Sequence, residues 1–290
     1  MNSVLIISLI LNGIVLGLVY AAVAMGFSLV LGMSGVINFC HGVMFAFGAY
    51  FFWLLKDVIG FWPAVAVVPL LVAVIGFLIE RVLIRRVYGL DPLFGLLITL
   101  GFSIALEELI RMIFGPAAHN VSAPAFASGV IIFGDFIYSE YRIFIGIFAA
   151  IMLTATWLLI SKTNFGAIVK AGMFDSEMVG ALGHNLPRLR TSVFILGTAL
   201  AGLSGILAAP IWSIKSGMGS AVLMPSFLIV LMGGLGSIPG TIVGGLLVGL
   251  STALATLVFP RFVDIIPYVL LGIIIYFWPR GLFGEQNINE

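Results

Sequence analysis

The chain has 290 residues, of which 62% are hydrophobic and 9% are charged, and its formal net charge is +1. A soluble domain carries roughly 25% charged residues, because it must cover its core with a polar shell. The composition therefore excludes a water-soluble enzyme, a disordered chain and a nucleic-acid-binding module. It predicts an all-α polytopic membrane protein.

Charges divide the first half of the chain into candidate membrane spans. No charge precedes Lys56, and one straight helix of that length would far exceed a hydrocarbon core of about 30 Å. The run Gly32 to Gly35 offers the necessary break. The spans predicted here are 4–31, 35–55, 61–84 and 92–114, and a polar segment rich in Pro and Ala follows over 115–140.

The second half predicts further spans and one interrupted stretch. No charge occurs from 216 to 260, and the glycine-rich run 233–240 breaks this stretch. We expect a hairpin with a short limb to about Ser237 and a helix from about Gly240. The other spans predicted are 141–161, 191–214 and 265–279. The sum is about eight transmembrane helices, with a re-entrant or broken segment near 225–240.

The distribution of Lys and Arg predicts the orientation of the chain, because basic residues are more frequent in cytoplasmic loops. Three regions hold most of them and are expected to be cytoplasmic. The number of spans between these regions then places the N-terminus outside and the C-terminus in the cytoplasm. The basic residues are Arg81, Arg85 and Arg86; Lys162, Lys170, Arg188 and Arg190; and Arg280.

No motif in the sequence predicts catalysis, a metal site or a cofactor. No lysine follows a glycine, so the sequence has no P-loop and cannot bind ATP by that route. The single Cys40 excludes a disulfide framework, and the three histidines lack ligand spacing. We therefore expect a membrane protein that is not an enzyme and has no cofactor of its own.

Glu107, Glu108 and Arg111 are the charges that look embedded in a predicted span. Glu107 and Arg111 are four residues apart, so the sequence predicts an intramembrane ion pair between them. Charges in the bilayer are candidates for function. The pair lies near the end of its span, however, so a structural role at the interface and a role in a substrate path both stay open.

The loop at 162–190 predicts a short helix over about 165–183, ended by Gly183. This helix is too polar to span the membrane and too apolar for a free loop. It has two interpretations, an amphipathic helix lying in the interface and a docking helix for a cytoplasmic partner. Its expected apolar contact surface consists of Ile168, Met173, Met178, Val179 and Leu182.

Four blocks of sequence carry a resemblance to a known family. The first is the run GVINFCHG at 35–42, and the others are 13–26, 170–183 and 233–240, with a further similar ending at 279–283. In this order and spacing they resemble the permease subunits of branched-chain amino acid importers of the ATP-binding-cassette class, in the shorter permease branch. The run at 35–42 is very similar to the signature Ile-Asn-Phe-Ala-His-Gly of that family.

The resemblance implies a single transmembrane permease domain over 1–290 in a bacterial inner membrane. Such a subunit pairs with a second, related permease, carries two cytoplasmic ATPase subunits and receives its solute from a periplasmic binding protein. The helix at 165–183 would then be the coupling helix. The residues assigned to ATPase coupling are Lys170, Ala171, Asp175, Glu177, Gly180 and Gly183.

Polar and glycine-rich interruptions mark a candidate translocation path. Asn38 and His41 follow a glycine break in an uncharged region, where a polar side chain needs a partner or water. A role in the path and a simple helix–helix hydrogen bond both stay open for these two side chains. The second interruption adds Gly236, Ser237 and Pro239 to the candidate path.

Two other functions remain as alternatives. An ion-coupled secondary transporter would use Glu107, Glu108 or His41 and would work without ATP. A passive channel for a small neutral solute would fit the low charge. Neither alternative has a use for a docking helix, which favours the importer. Other amino acids, urea, short amides and aromatic acids remain possible solutes beside the branched-chain amino acids.

Overall fold

The computed structural model describes residues 3–134 and 136–284, so both ends of the predicted 1–290 domain lie outside the described residues. The described part forms eleven α-helices and one antiparallel β-hairpin. The elements are α1 Ser3–Ser34, α2 Cys40–Ile59, α3 Phe61–Val82, α4 Pro92–Phe114, β1 Val130–Phe133, β2 Phe136–Ser139, α5 Glu140–Lys162, α6 Asn164–Phe174, α7 Ser176–Ala181, α8 Leu186–Ala208, α9 Met218–Gly233, α10 Ile238–Val258 and α11 Ile266–Phe277.

Eight helical segments of the described chain are long and apolar enough to cross a membrane, which confirms the predicted polytopic all-α class. The predicted hairpin is formed by α9 and α10. The 16 residues of α9 extend about 24 Å, somewhat less than a hydrocarbon core of about 30 Å. This helix is therefore the short limb, and its end at Gly233 is where the glycine-rich run begins.

Two predicted helix starts are displaced in the structure. The second span begins at Cys40 rather than at residue 35, because the side chain of Asn38 accepts a hydrogen bond from the Cys40 backbone N at 3.0 Å and holds a turn. The span predicted over 191–214 instead covers 186–208. Asn185 caps it, accepting from the Arg188 backbone N at 3.1 Å, so the helix includes residues that the sequence analysis assigned to a loop.

The polar segment at 115–140 contains structure that the sequence analysis did not predict. Strands β1 and β2 pair from Val130 with Ser139 to Phe133 with Phe136. His119 and Ile214 exchange two backbone hydrogen bonds of 2.8 Å, which tie this segment to the chain after α8. The segment therefore covers one end of the bundle as an ordered cap.

Glycines allow the most extensive helix contact, which is between α1 and α10. A Cβ atom placed on Gly17 would lie 2.7 Å from the carbonyl oxygen of Gly245, closer than real Cβ atoms approach. One on Gly13 would lie 2.9 Å from the Cα atom of Leu250. These two glycines therefore serve helix packing, since only residues without a side chain let the backbones come so near.

The two ends of the bundle differ in charge. We call "basic end" the end where α1, α3 and α5 finish, α8 begins and α9 turns into α10. Contacts join these termini: Gly172 of α6 lies against Met33 of α1 and Leu189 of α8, and Arg85 after α3 reaches Thr191 of α8. We call "hairpin end" the opposite end, which carries β1 and β2.

Candidate functional site

Two short helices at the basic end replace the single helix predicted over 165–183. They are α6 and α7, and the break between them is at Asp175, whose φ of −146° is not helical. The carboxylate of Asp175 accepts a hydrogen bond from the Met178 backbone N at 2.9 Å and so caps α7. Gly183 follows with a φ of +90°, which favours glycine and ends the segment as predicted.

The surface of α6 and α7 is largely exposed. Of the predicted coupling residues, Gly180 is half-buried against Leu186 and the other five are exposed: Lys170, Ala171, Asp175, Glu177 and Gly183. Contact of these residues with an ATPase stays a prediction.

Three apolar side chains project from the same helices. Phe174, Met178 and Leu182 are 60%, 58% and 72% exposed, whereas Val179 is buried. We call these three exposed side chains the α7 surface. Exposed apolar groups in an otherwise polar connection indicate a contact with another molecule or with the bilayer interface.

Met173 connects α6 to two other parts of the basic end. A Cβ atom on Gly32, near the end of α1, would lie 3.1 Å from the Met173 sulfur, and one on Gly236 would lie 3.4 Å from it. The thioether therefore lies between the end of α1 and the turn that joins α9 to α10.

A cavity of about 530 Å³ lies beside Met173 at the basic end. Three residues predicted for the translocation path line it, namely Gly236, Ser237 and Pro239, and so does Lys170 of α6. It is mixed in character, with the Ser161 and Ser237 hydroxyls among apolar side chains. The structure thus brings one part of the predicted path next to one predicted coupling residue; the roles of these residues stay predictions.

The turn between α9 and α10 is held by the side chain of Ser237 and by the backbone of residues 282 and 283. Ser237 caps α10 by accepting from the Gly240 backbone N at 3.2 Å. Leu282 and Phe283 donate backbone hydrogen bonds of 2.8 and 3.1 Å to the Met232 and Gly233 carbonyls. The sequence block 233–240 and the ending 279–283 are therefore parts of one structural unit.

Asn38 and His41 are buried in helix packing, and neither lines that cavity. The Nε2 atom of His41 lies 3.1 Å from the Val23 carbonyl oxygen, which is the helix–helix hydrogen bond left open by the sequence. Within the described residues, Asn38 Nδ2 and His41 Nδ1 have no hydrogen-bond partner. A place in the path stays a prediction for both.

The predicted ion pair between Glu107 and Arg111 is wrong. The Nη1 atom of Arg111 instead lies 3.5 Å from Oε2 of Glu108, the residue that follows Glu107, and both side chains are about half exposed. Glu107 points to α9 and accepts from the Ser220 hydroxyl at 2.7 Å and from its backbone N at 3.0 Å. Near the end of α4, Glu107 therefore contacts Ser220 of α9 instead of pairing with Arg111 on its own helix.

A buried polar cluster at the basic end was missed by the sequence analysis. Glu80 is fully buried and accepts hydrogen bonds from Thr191 at 2.9 Å and Tyr88 at 3.3 Å, with Arg85 at 3.5 Å. Arg190 lies 4.9 Å from the centre of the Tyr88 ring. Burial and the nearby Glu80 carboxylate raise the pKa of Tyr88 above its ordinary value. One signal was available: Glu80 falls inside the span predicted over 61–84.

Comparison with known proteins gives one family and several relatives. Residues 9–278 match the family model described as "Branched-chain amino acid transport system / permease component". The chain is 27% identical to the permease protein BraD of a Pseudomonas aeruginosa high-affinity branched-chain amino acid transport system, over 97% of this chain and 96% of BraD. It is 28% identical to Escherichia coli LivH, over 96% of both chains, and 25% identical to Escherichia coli LivM, over 82% of this chain and 62% of LivM.

Proposed function

The chain belongs to the family of permease components of branched-chain amino acid transport systems, and on this premise we propose that it is the membrane-spanning subunit of an ATP-driven importer. Its cargo is a branched-chain amino acid or a related small solute, as the names of BraD and LivH suggest. Separate cytoplasmic subunits hydrolyse ATP, and a periplasmic binding protein delivers the solute.

One observation supports this function above the others: α6 and α7 expose apolar side chains outward and contact the bundle inward. The α7 surface is available to a partner, while Met173 touches both the end of α1 and the turn at Gly236. A force applied to these helices by ATPase subunits would reach the cavity of about 530 Å³ directly. A channel or an ion-coupled carrier has no need for such a connection.

The basic end faces the cytoplasm in this proposal, which places the N-terminus outside and the C-terminus inside a bacterial inner membrane. The excess of Lys and Arg around α6 supports this orientation. It puts the α7 surface on the side where ATP is available. The solute would enter from the hairpin end.

A second permease completes the membrane part of the importer. The similarity of this chain to both LivH and LivM supports pairing with a related subunit, because both are permease proteins of branched-chain amino acid transport in Escherichia coli.

Reconstitution tests the proposal. The chain is co-expressed with the proteins encoded by its neighbouring genes, and leucine uptake is measured in liposomes with and without ATP. We expect ATP-dependent uptake that requires the binding protein. Leu182→Glu, on the α7 surface, should release the ATPase subunits from the purified assembly. Leu90→Glu is the matched control, since Leu90 is 54% exposed at the basic end but lies outside α6 and α7.

Two results would contradict the proposal. The first is solute flux by the purified chain alone without ATP, which would favour the channel or the ion-coupled carrier. The second is an assembly that keeps its ATPase subunits equally well in Leu182→Glu and Leu90→Glu, which would remove the docking role of α7.

A further inference from the structure

A second cavity, of about 250 Å³, lies near the hairpin end between four helices. Its walls come from the first half of α1, the start of α5, the end of α8 and the end of α10. The lining residues that carry the argument are Asn12, Val15, Val19, Arg142, Trp212 and Thr252. Neither the path nor the coupling residues predicted from the sequence line it.

Arg142 gives this cavity a positive charge. Among residues 3–134 and 136–284, the guanidinium forms no ion pair, and Nη1 donates a hydrogen bond to the Asn12 side-chain oxygen. A guanidinium has five N–H donors, so most of them are available to a ligand. A half-buried, unpaired cation is costly unless water or an anion meets it.

A second unused polar group lies in the same cavity. The hydroxyl oxygen of Thr252 is buried and has no hydrogen-bond partner within the described part of the chain. A threonine hydroxyl both donates and accepts a hydrogen bond. The cavity therefore combines a cation, an amide oxygen and a free hydroxyl.

Most of the remaining wall is apolar, and parts of it are firmly held. Val15 and Val19 are on α1, next to the glycine contact that joins α1 to α10. Trp212 is held by rings on two sides, with centroid distances of 6.0 Å to Tyr20 and 6.1 Å to Phe45. The volume is somewhat below the range of about 300–1,000 Å³ that drug-sized ligands occupy, which suits a molecule as small as an amino acid.

We propose that this cavity is a receiving site for a free apolar amino acid, which binds with its α-carboxylate on the Arg142 guanidinium and its side chain against Val15 and Val19. The inference rests on the proposed importer function and adds to it a place and a chemistry of recognition. Arginine suits this role because its planar fork matches a carboxylate with two parallel hydrogen bonds. The Thr252 hydroxyl and the Asn12 oxygen accept from the α-ammonium group.

Binding of a carboxylate would explain why the Arg142 guanidinium lies in a mostly apolar cavity wall. The solute is a zwitterion with an apolar tail, and an unlined hydrophobic passage would reject its charged end. The Arg142 guanidinium compensates the charge of the carboxylate as it leaves water. Binding here is expected to be weak, because a site that the solute must leave again cannot hold it tightly.

Binding of L-leucine to the purified assembly in lipid nanodiscs, without the binding protein, tests the inference. Saturation-transfer NMR is suitable for weak ligands, and leucinamide, which lacks the carboxylate charge, is the paired probe. We expect wild type to bind leucine more strongly than leucinamide. Arg142→Gln should raise the Kd for leucine about tenfold and remove the preference, since a charge-assisted hydrogen bond is lost.

Two further variants guard against a fold defect. Thr252→Val keeps the shape of the side chain and should weaken leucine binding while the thermal stability is maintained. Arg261→Gln is the matched control, because Arg261 is an exposed cation near the end of α10 that does not line the cavity. It should bind leucine as wild type does.

Specific outcomes would overturn the inference. One is an unchanged preference for leucine over leucinamide in Arg142→Gln. Another is a loss of co-purifying anionic lipid in that variant with leucine binding intact, which would assign Arg142 to a lipid headgroup. Failure of the importer function itself is distinguishable, since wild type would then show no ATP-dependent uptake at all.

Discussion

The hydroxyl of Thr191 donates a hydrogen bond of 2.9 Å to the carboxylate of Glu80, and this contact joins the end of α3 to the start of α8. Arg85 completes the link, donating to the Thr191 oxygen at 2.8 Å. A buried carboxylate is stable only when its oxygens are paired. The cluster of Glu80, Arg85 and Thr191 therefore anchors the start of α8. Since α8 follows α7 in the chain, a movement of α7 would act on this anchored end.

Removing the Glu80 carboxylate should destabilise the protein. Glu80→Ala removes the acceptor of the Thr191 and Tyr88 hydrogen bonds, and we expect a loss of about 1–3 kcal/mol, because the side chain of Arg85 is 34% exposed and water can solvate its charge. Apparent Tm in detergent is the measurement. Glu108→Ala is the control, because Glu108 is 49% exposed and its pair with Arg111 contributes little. Equal Tm values for the two variants would contradict the structural role of the cluster.

Shortening Met173 should uncouple ATP hydrolysis from transport. Met173→Ala removes the side chain between Gly32 and Gly236 and leaves the α7 surface intact. We expect ATPase activity close to wild type and leucine uptake reduced about tenfold, within the usual range of coupling between sites. Met112→Ala is the control, since Met112 is 74% exposed on α4. Normal uptake by Met173→Ala would show that force travels by another route.

Composition and the spacing of charges were sufficient to predict the spans and the hairpin formed by α9 and α10. The thickness of the bilayer sets the length of an apolar helix, and charges mark where it must stop. The sequence also predicted the helical segment over α6 and α7 and the glycine-rich turn beside it. These features depend on residues close together in the chain, so the local pattern of apolar residues, charges and glycines predicts them.

Contacts between distant residues could not be predicted in this way. Glu107 meets Ser220 rather than Arg111, and Arg142 meets Asn12 across most of the first half of the chain. The cap formed by the Asp175 side chain divides the single helix predicted over 165–183 into α6 and α7. The contact of Glu107 replaces the pairing expected along one helix, and the contact of Arg142 exists only because the fold brings α1 and α5 together.

The contact between α1 and α10 should be sensitive to a single methyl group. A Cβ atom on Gly17 would lie 2.7 Å from one backbone atom and 2.9 Å from another, and neither can move independently of its helix. We expect Gly17→Ala to cost about 1–3 kcal/mol, as overpacking does. Gly101→Ala on α4 is the control, because nothing lies within 4 Å of the added atom. It should be neutral or slightly stabilising, since alanine favours helix. Equal effects of both changes would mean that the helices are not in close contact.

Cys40 makes the proposed orientation testable by labelling. It is the single cysteine of the chain, it is buried, and its thiol lies 3.3 Å from the Thr99 carbonyl oxygen. The wild-type protein should therefore resist a membrane-impermeant maleimide until it is denatured. Ser128→Cys adds an exposed thiol at the hairpin end, and Leu90→Cys adds one at the basic end. In right-side-out spheroplasts we expect labelling of Ser128→Cys alone, and in inverted vesicles of Leu90→Cys alone, because a charged reagent does not cross the bilayer. The reverse pattern would place the basic end outside, and the α7 surface would then be out of reach of any cytoplasmic ATPase.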